Sequence, residues 1–153
     1  MSELAATFGV RQVAGVVAYS PDNSNKICIV SSSKKSNKWV LPKGGVESGE
    51  KKKIAAAREA WEEAGIKGEV GDKLGDWHIY TVNSEGLRAE HYTFYTLKVT
   101  KIYDDWPEKD GRRRKWVQAD KALELVKWKY MKKAISKFEK NFIKDDYKTG
   151  YFW

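Results

Sequence analysis

Apolar positions recur along the chain in two periods, one of strands and one of helices. Val13 to Tyr19 (VAGVVAY) and Lys26 to Ser31 (KICIVS) are rich in β-branched residues, flank the turn-forming PDNSN and predict two β-strands. A short strand, Trp39-Val40-Leu41, ends at Pro42. Leu74 to Val82 and Glu90 to Val99 predict two more, separated by the polar turn Asn83-Ser84-Glu85-Gly86. In the second of these, Tyr92, Phe94 and Thr96 alternate against Thr93, Tyr95 and Leu97, and Arg114 to Gln118 predicts a further short strand. The helical period appears in Ile54, Ala57, Trp61 and Ala64, with Gly65 and Ile66 forming a Schellman-type stop. Near the end, Asp120 predicts the cap of a helix through Lys127. A longer helix follows, in which Met131, Ile135, Phe138 and Phe142 make a core stripe and Lys132, Lys133, Lys137 and Lys140 face outward.

No repeat, linker or low-complexity stretch divides these elements, so residues 1–153 read as one α+β domain with a mixed sheet and helices on both sides, and with 1–8 and 145–153 as tails. Its 41% hydrophobic content and seven Trp suit a globular core. The single Cys28 lies in an apolar run and reads as a buried thiol, which excludes an internal disulfide. No run approaches the length of a membrane span, and the start lacks a signal-peptide pattern. The expected location is the cytoplasm or nucleus, or outside the cell after removal of a leader; a monomer is expected. A net charge of +8 biases the chain toward polyanionic partners.

The helix from Ile54 carries Glu59, Glu62 and Glu63, and at about 100° per residue all three share one face. Like charges so spaced cost roughly 0.2–0.5 kcal/mol per pair, and Glu62 and Glu63 also stand at the disfavoured end of the helix dipole. A divalent, oxygen-preferring ion such as Mg²⁺ or Mn²⁺ would turn that cost into a binding site.

From Gly44 to Ile66 the chain resembles the Nudix box, G-x5-E-x7-R-E-U-x-E-E-x-G-U, through Gly44, Glu50, Arg58, Glu59, Glu62, Glu63, Gly65 and Ile66. Ala60 is small for the aliphatic U position. The resemblance implies an α/β/α sandwich and a loop-helix-loop in which Glu59, Glu62 and Glu63, with Gly44 beside them, hold metal against a pyrophosphate. Glu50 and Arg58 then brace loop and helix. Glu63 is the first choice for general base, with Glu85 or Glu90 as alternatives outside the box. Gly44 and Gly45 allow close approach of metal or phosphate.

The flanks narrow the substrate. Ser31-Ser32-Ser33-Lys34, the run Lys38 to Glu47, and Gly111-Arg112-Arg113-Arg114-Lys115-Trp116 are similar to the diphosphoinositol polyphosphate phosphohydrolases, which also cleave diadenosine polyphosphates. A ring bearing six or more phosphates needs many cations and no base-stacking slot. Arg11, Lys34, Lys38, Lys43, Arg113 and Lys115, with Ser32, Ser33, Gly44 and Gly45, are the candidate substrate ligands; strand alternation in RRRK lets only half of it face one ligand. His91, near Arg88, is a further candidate for a phosphate. His78 reads as a packed or edge histidine, and because no second histidine follows at ligand spacing, a zinc site is not supported. Two other readings stand beside the leading one: a hydrolase of a nucleotide (nucleoside triphosphate, nucleotide sugar or RNA cap), and a non-catalytic module binding RNA or another polyanion. Intact Glu59, Glu62 and Glu63 disfavour the last, and aromatics spread through strands favour core packing over nucleic-acid stacking.

Overall fold

The computed structural model describes residues 9–20 and 22–143; the two segments read as tails lie outside the described residues. The elements are β1 (Arg11–Ser20), β2 (Asn23–Ser31), β3 (Trp39–Val40), β4 (Lys43–Gly45), α1 (Lys52–Ala64), β5 (Ile66–Asn83) and β6 (Gly86–Ile102). A 3-10 turn (Lys109–Gly111), β7 (Arg114–Gln118), α2 (Ala119–Leu125), α3 (Lys129–Phe138) and a π-helical turn (Glu139–Ile143) complete the described chain. The sheet runs β3-β2-β1-β6-β5, with β4 added to β1 and β7 to β2. β1 and β6 are parallel, from Arg11 opposite Glu90 to Tyr19 opposite Lys98, and the other pairs are antiparallel. The sheet is therefore mixed, as the α+β reading requires.

β6 is buried on both faces because each face has its own helix. On one side Tyr92 and Phe94 meet Tyr130 of α3, and Tyr19 meets Phe138 at 5.3 Å between ring centroids. On the other, Lys53 of α1 lies over Tyr95. The α3 stripe is buried at Met131, Ala134, Ile135 and Phe138; the Phe142 side chain lies outside the described residues. Cys28 is fully buried, and burial pushes its thiol up to about 12, which leaves it inert.

Three elements differ from the sequence pattern. β5 begins at Ile66 rather than Leu74, because the Gly-rich stretch that follows pairs with the end of β6 through register shifts at Lys67/Gly68, Val70/Lys73 and Lys73/Gly75. Bulges break the period-two alternation by which a strand is recognised. α2 starts at Ala119, with no side-chain cap; Asp120 already lies in its first turn. Most informative is α1, whose buried residues are Ala55, Ala56, Glu59, Ala60, Glu63 and Ala64, while Ile54 is 58% exposed. The apolar stripe of Ile54, Ala57 and Trp61 lies on the flank, and Trp61 packs edge-on against Tyr103. Alanines face the sheet because the helix sits close over β1 and β4, which also accounts for the small Ala60.

Gly65 ends α1 in the left-handed region (φ 65°), its N–H donating to Trp61 O at 3.0 Å. A β-carbon there would stand 2.7 Å from the Trp106 ring, whereas Gly49 (φ 77°) has open space around it. Gly65→Ala should therefore lose about 2–3 kcal/mol and Gly49→Ala about 1 kcal/mol. Urea denaturation of both variants beside the parent measures this; equal losses would show that the Trp106 contact adds nothing.

Candidate active site

Burying a glutamate on a helix face is costly, and α1 buries two. Glu59 and Glu63 point back toward β4, and Gly44 is glycine for a visible reason: a β-carbon at that position would overlap the Glu59 carboxylate. Glu63 Oε1 accepts the N–H of Lys43 at 3.2 Å, and its Oε2 lies 3.2 Å from Arg112 Nη2. Glu62, two-thirds buried, completes the set.

Arg58 organises this face. Its Nε and Nη2 donate to both oxygens of Glu50 at 2.8 and 2.9 Å, Nη2 also donates to Gly45 O at 2.9 Å, and Nη1 donates to Glu59 at 2.9 Å and Glu62 at 3.3 Å. Glu50 in turn accepts the N–H of Glu47 at 3.0 Å. One guanidinium thus ties the loop after β4 to the helix. The hydrogen bonds from Arg58 hold the Glu50 carboxyl down to about 2. The two buried carboxyls move the other way. Burial raises Glu59 above the usual carboxylate range, and burial, opposed by Arg112 and Lys43, pushes Glu63 up to about 7.

These residues fit a hard divalent cation. The donors are all carboxylate oxygens, Gly44 opens the backbone directly onto Glu59, and the fold disfavours the ionised form of Glu59 and Glu63 unless positive charge is brought to them. Among the described residues the three carboxylates are held apart on Arg58 and Arg112 and do not form a tight cluster of ligand atoms.

The basic candidates divide. Arg11 reaches over Gly45, lying 3.2 Å from where a β-carbon would be, and pairs with Glu90 at 2.9 Å. Lys43 is half-buried at the edge of the site, and Ser32, Ser33, Lys34 and Lys38 lie exposed on the loop between β2 and β3, with Ser32 bonded to Ser36. Alternation in the RRRK segment places Arg113 and Lys115 over Trp39, at 5.0 and 4.8 Å from its ring centroid. Arg112 and Arg114 take the opposite side, where Arg112 meets Glu63 and Arg114 donates to Ala64 O and Tyr103 O, each at 2.8 Å. Arg112 is thus the basic residue in contact with the acidic face that sequence reasoning passed over; alternation limited the choice to one half without saying which. His91 is engaged by Gln12 and Asp76. Of the alternative bases, Glu90 is paired with Arg11, and Glu85 sits in the hairpin turn between β5 and β6. No helix among the described residues is long and apolar enough to cross a membrane.

Comparison with known proteins gives the family. A family model described as the NUDIX domain matches residues 9–138. The chain is 35% identical over 136 residues to Nudix hydrolase 21, chloroplastic, of Arabidopsis thaliana, covering 86% of this chain and 68% of that one. It is also 35% identical over 121 residues to diphosphoinositol polyphosphate phosphohydrolase 2 of Rattus norvegicus, covering 77% of this chain and 64% of the relative. The chain spans about two thirds of the length of these relatives. Among solved structures, a NUDIX hydrolase from Nitrosomonas europaea superposes with a TM-score of 0.71 at 19% identity, over 85% of this chain and 88% of that one. C. elegans Ap4A hydrolase does so with 0.59 at 22%, over 85% and 96%. At those identities the likeness is one of fold. With the box residues assembled on α1 and β4, and the family match running through nearly all the described residues, the chain belongs to the Nudix hydrolase family.

Proposed function

We propose that this chain is a Mg²⁺- or Mn²⁺-dependent hydrolase of diphosphoinositol polyphosphates that also accepts diadenosine polyphosphates. The observation that carries the substrate assignment is the state of Trp39. It follows Lys38 directly at the end of the basic loop, yet it is only 7% exposed and its ring is covered by Arg113 and Lys115, so it offers cations rather than a face for a nucleobase. Lys34, Lys38, Arg113 and Lys115 are exposed and have no acidic partner among the described ion pairs. A small molecule crowded with phosphates is the ligand such a surface suits. The name of the Rattus norvegicus relative points the same way.

Glu59, Glu62 and Glu63 would hold the ion, which when bound supplies positive charge against the phosphate oxygens and lowers the pKa of water beside it. The chain's own groups do the rest. Arg58 holds the Glu59 and Glu62 carboxylates together through one nitrogen, Nη1. Glu63, almost fully buried behind β4, is the carboxylate suited to take the proton of the attacking water, with the Lys43 N–H and Arg112 steadying its two oxygens. The glycines of β4 let a phosphate approach the backbone, and Arg11 stands over Gly45.

The test is phosphate release from a 5-diphosphoinositol pentakisphosphate with Mg²⁺, run beside diadenosine hexaphosphate, a capped RNA and ADP-ribose. Metal-dependent turnover of the inositol compound is expected. Cleavage of a nucleotide instead would keep the box chemistry and remove the substrate assignment. Glu63→Gln should lower kcat by at least about 10²-fold while the circular dichroism spectrum stays native, and a rate near that of the parent would take Glu63 out of the mechanism. Neutralising Arg113 and Lys115 together should reduce kcat/KM for the inositol substrate more than for the dinucleotide; equal losses would argue against specific contacts.

Titration of Glu63 has a separate signature. The carboxyl is raised from 4.5 to about 7, so the folded chain binds this proton more tightly than the unfolded one. The stabilisation is full below the unfolded value and is lost as pH rises through the folded one, up to about 3 kcal/mol. Metal-stripped protein should accordingly lose thermal stability between about pH 5 and pH 8, Glu63→Gln should flatten that slope, and Mg²⁺ should restore stability at the alkaline end. An unchanged slope in the variant would place the titration elsewhere.

A further inference from the structure

The register of β5 and β6 sets His78 directly opposite His91, with the rings stacked at 4.3 Å between centroids and 4° between planes. Asp76, two residues before His78, is on the same face, and its Oδ1 lies 3.1 Å from His91 Nε2. One ligand atom from each of the three residues lies within 4.8 Å of the others. Spacing along the chain does not support a zinc site; the second histidine arrives across a hairpin instead.

Two details go beyond proximity. His91 Nδ1 is 2.9 Å from Gln12 Oε1, and an amide oxygen only accepts, so in the neutral tautomer that satisfies it Nδ1 carries the proton and the Nε2 lone pair faces the carboxylate. This is the outer hydrogen bond that metal-bound histidines usually make. Asp76 uses its other oxygen, Oδ2, for Lys73 at 3.1 Å, which leaves Oδ1 to the histidine side. Two lone-pair atoms 3.1 Å apart need a cation between them. A proton serves two donors, whereas three donors suit a metal ion.

We propose that Asp76, His78 and His91 form a second metal site, distinct from the carboxylates of α1, that takes a nitrogen-preferring divalent transition-metal ion of the Zn²⁺ class. Bonds of 2.0–2.1 Å in a tetrahedron put neighbouring ligand atoms about 3.3 Å apart. The Asp76–His91 separation already matches; the exposed His78 ring must turn out of its parallel stack on His91, so that its in-plane lone pair meets the same ion, and close by at most about 1.5 Å. Three protein ligands leave a fourth position for water or an anionic ligand. Thr93, opposite Asp76 in register, is 2% exposed, and its Oγ1 has no hydrogen-bond partner among the described residues, so this face also holds an unspent polar group. Arg11, opposite Glu90, is the first residue of β1, and beyond it β5 and β6 pair only with each other toward Asn83 and Gly86. An ion one rung inside that limit staples the base of a two-stranded ribbon that is marginal alone. It also adds positive charge to the same face of the sheet as α1, two strands from β4.

The experiment uses the full chain stripped of metal, with excess Mg²⁺ present to occupy the carboxylates, and titrates Zn²⁺ calorimetrically and Co²⁺ by visible absorption. One equivalent per chain is expected, with tetrahedral Co²⁺ bands, unaltered in Glu63→Gln. His78→Ala and Asp76→Asn should each weaken Zn²⁺ binding about tenfold or more. His78 and Asp76 are exposed, so both variants should fold, and the Co²⁺ spectrum of the parent reports ligand geometry without any variant. Absence of stoichiometric uptake, parent-like affinity in His78→Ala, or loss of uptake in Glu63→Gln would each overturn the site.

Discussion

The acidic face of α1 depends on the guanidinium of Arg58. It reaches Glu50 twice, the Gly45 carbonyl once, and Glu59 and Glu62 on its own helix, so a loop and a helix turn are held by one planar group. A lysine could not do this, because the bidentate fork and the further donors come from one rigid plane. Without it Glu59 and Glu62 would repel across one helix turn, and the segment between β4 and α1 would have no fixed approach to the carboxylates.

The second constraint is closeness. α1 presents Ala55, Ala56, Ala60 and Ala64 to the sheet, and Gly44 of β4 lies beneath Glu59. Small side chains let the carboxylates come down onto backbone, where burial raises Glu59 and Glu63. A larger interface would stabilise the helix more and hold the carboxylates off the backbone. The same economy explains why Ile54 is left exposed and why Trp61 finds its partners in Tyr103 and the Lys67 ammonium. Stability is drawn instead from the other face, where Met131, Ile135 and Phe138 of α3 fill the core.

Local patterns were legible wherever the signal was itself local. Strands β1 and β2, the αL stop at Gly65, the α3 stripe and the spacing of Glu50, Arg58, Glu59, Glu62 and Glu63 all follow from neighbours within a few residues. Where a second segment decides the outcome, the same reasoning fell short. The early start of β5 is hidden by bulges that only pairing with β6 creates. The buried face of α1 is chosen by closeness to β1 and β4, against the hydrophobic stripe. In the RRRK segment alternation predicts two sets, and it takes Trp39 on one side and Glu63 on the other to say that Arg112 faces the acids.

The sequence by itself determined the box motif, the mixed-sheet fold and the excess of cations. Each of these is carried by spacing or composition, which the chain holds before it folds. Tertiary structure alone decided which carboxyls are desolvated, which arginine touches Glu63, and that His78 meets His91. Burial and cross-strand register are relations between segments far apart in the chain, and the physical chemistry they produce exists only once those segments pack.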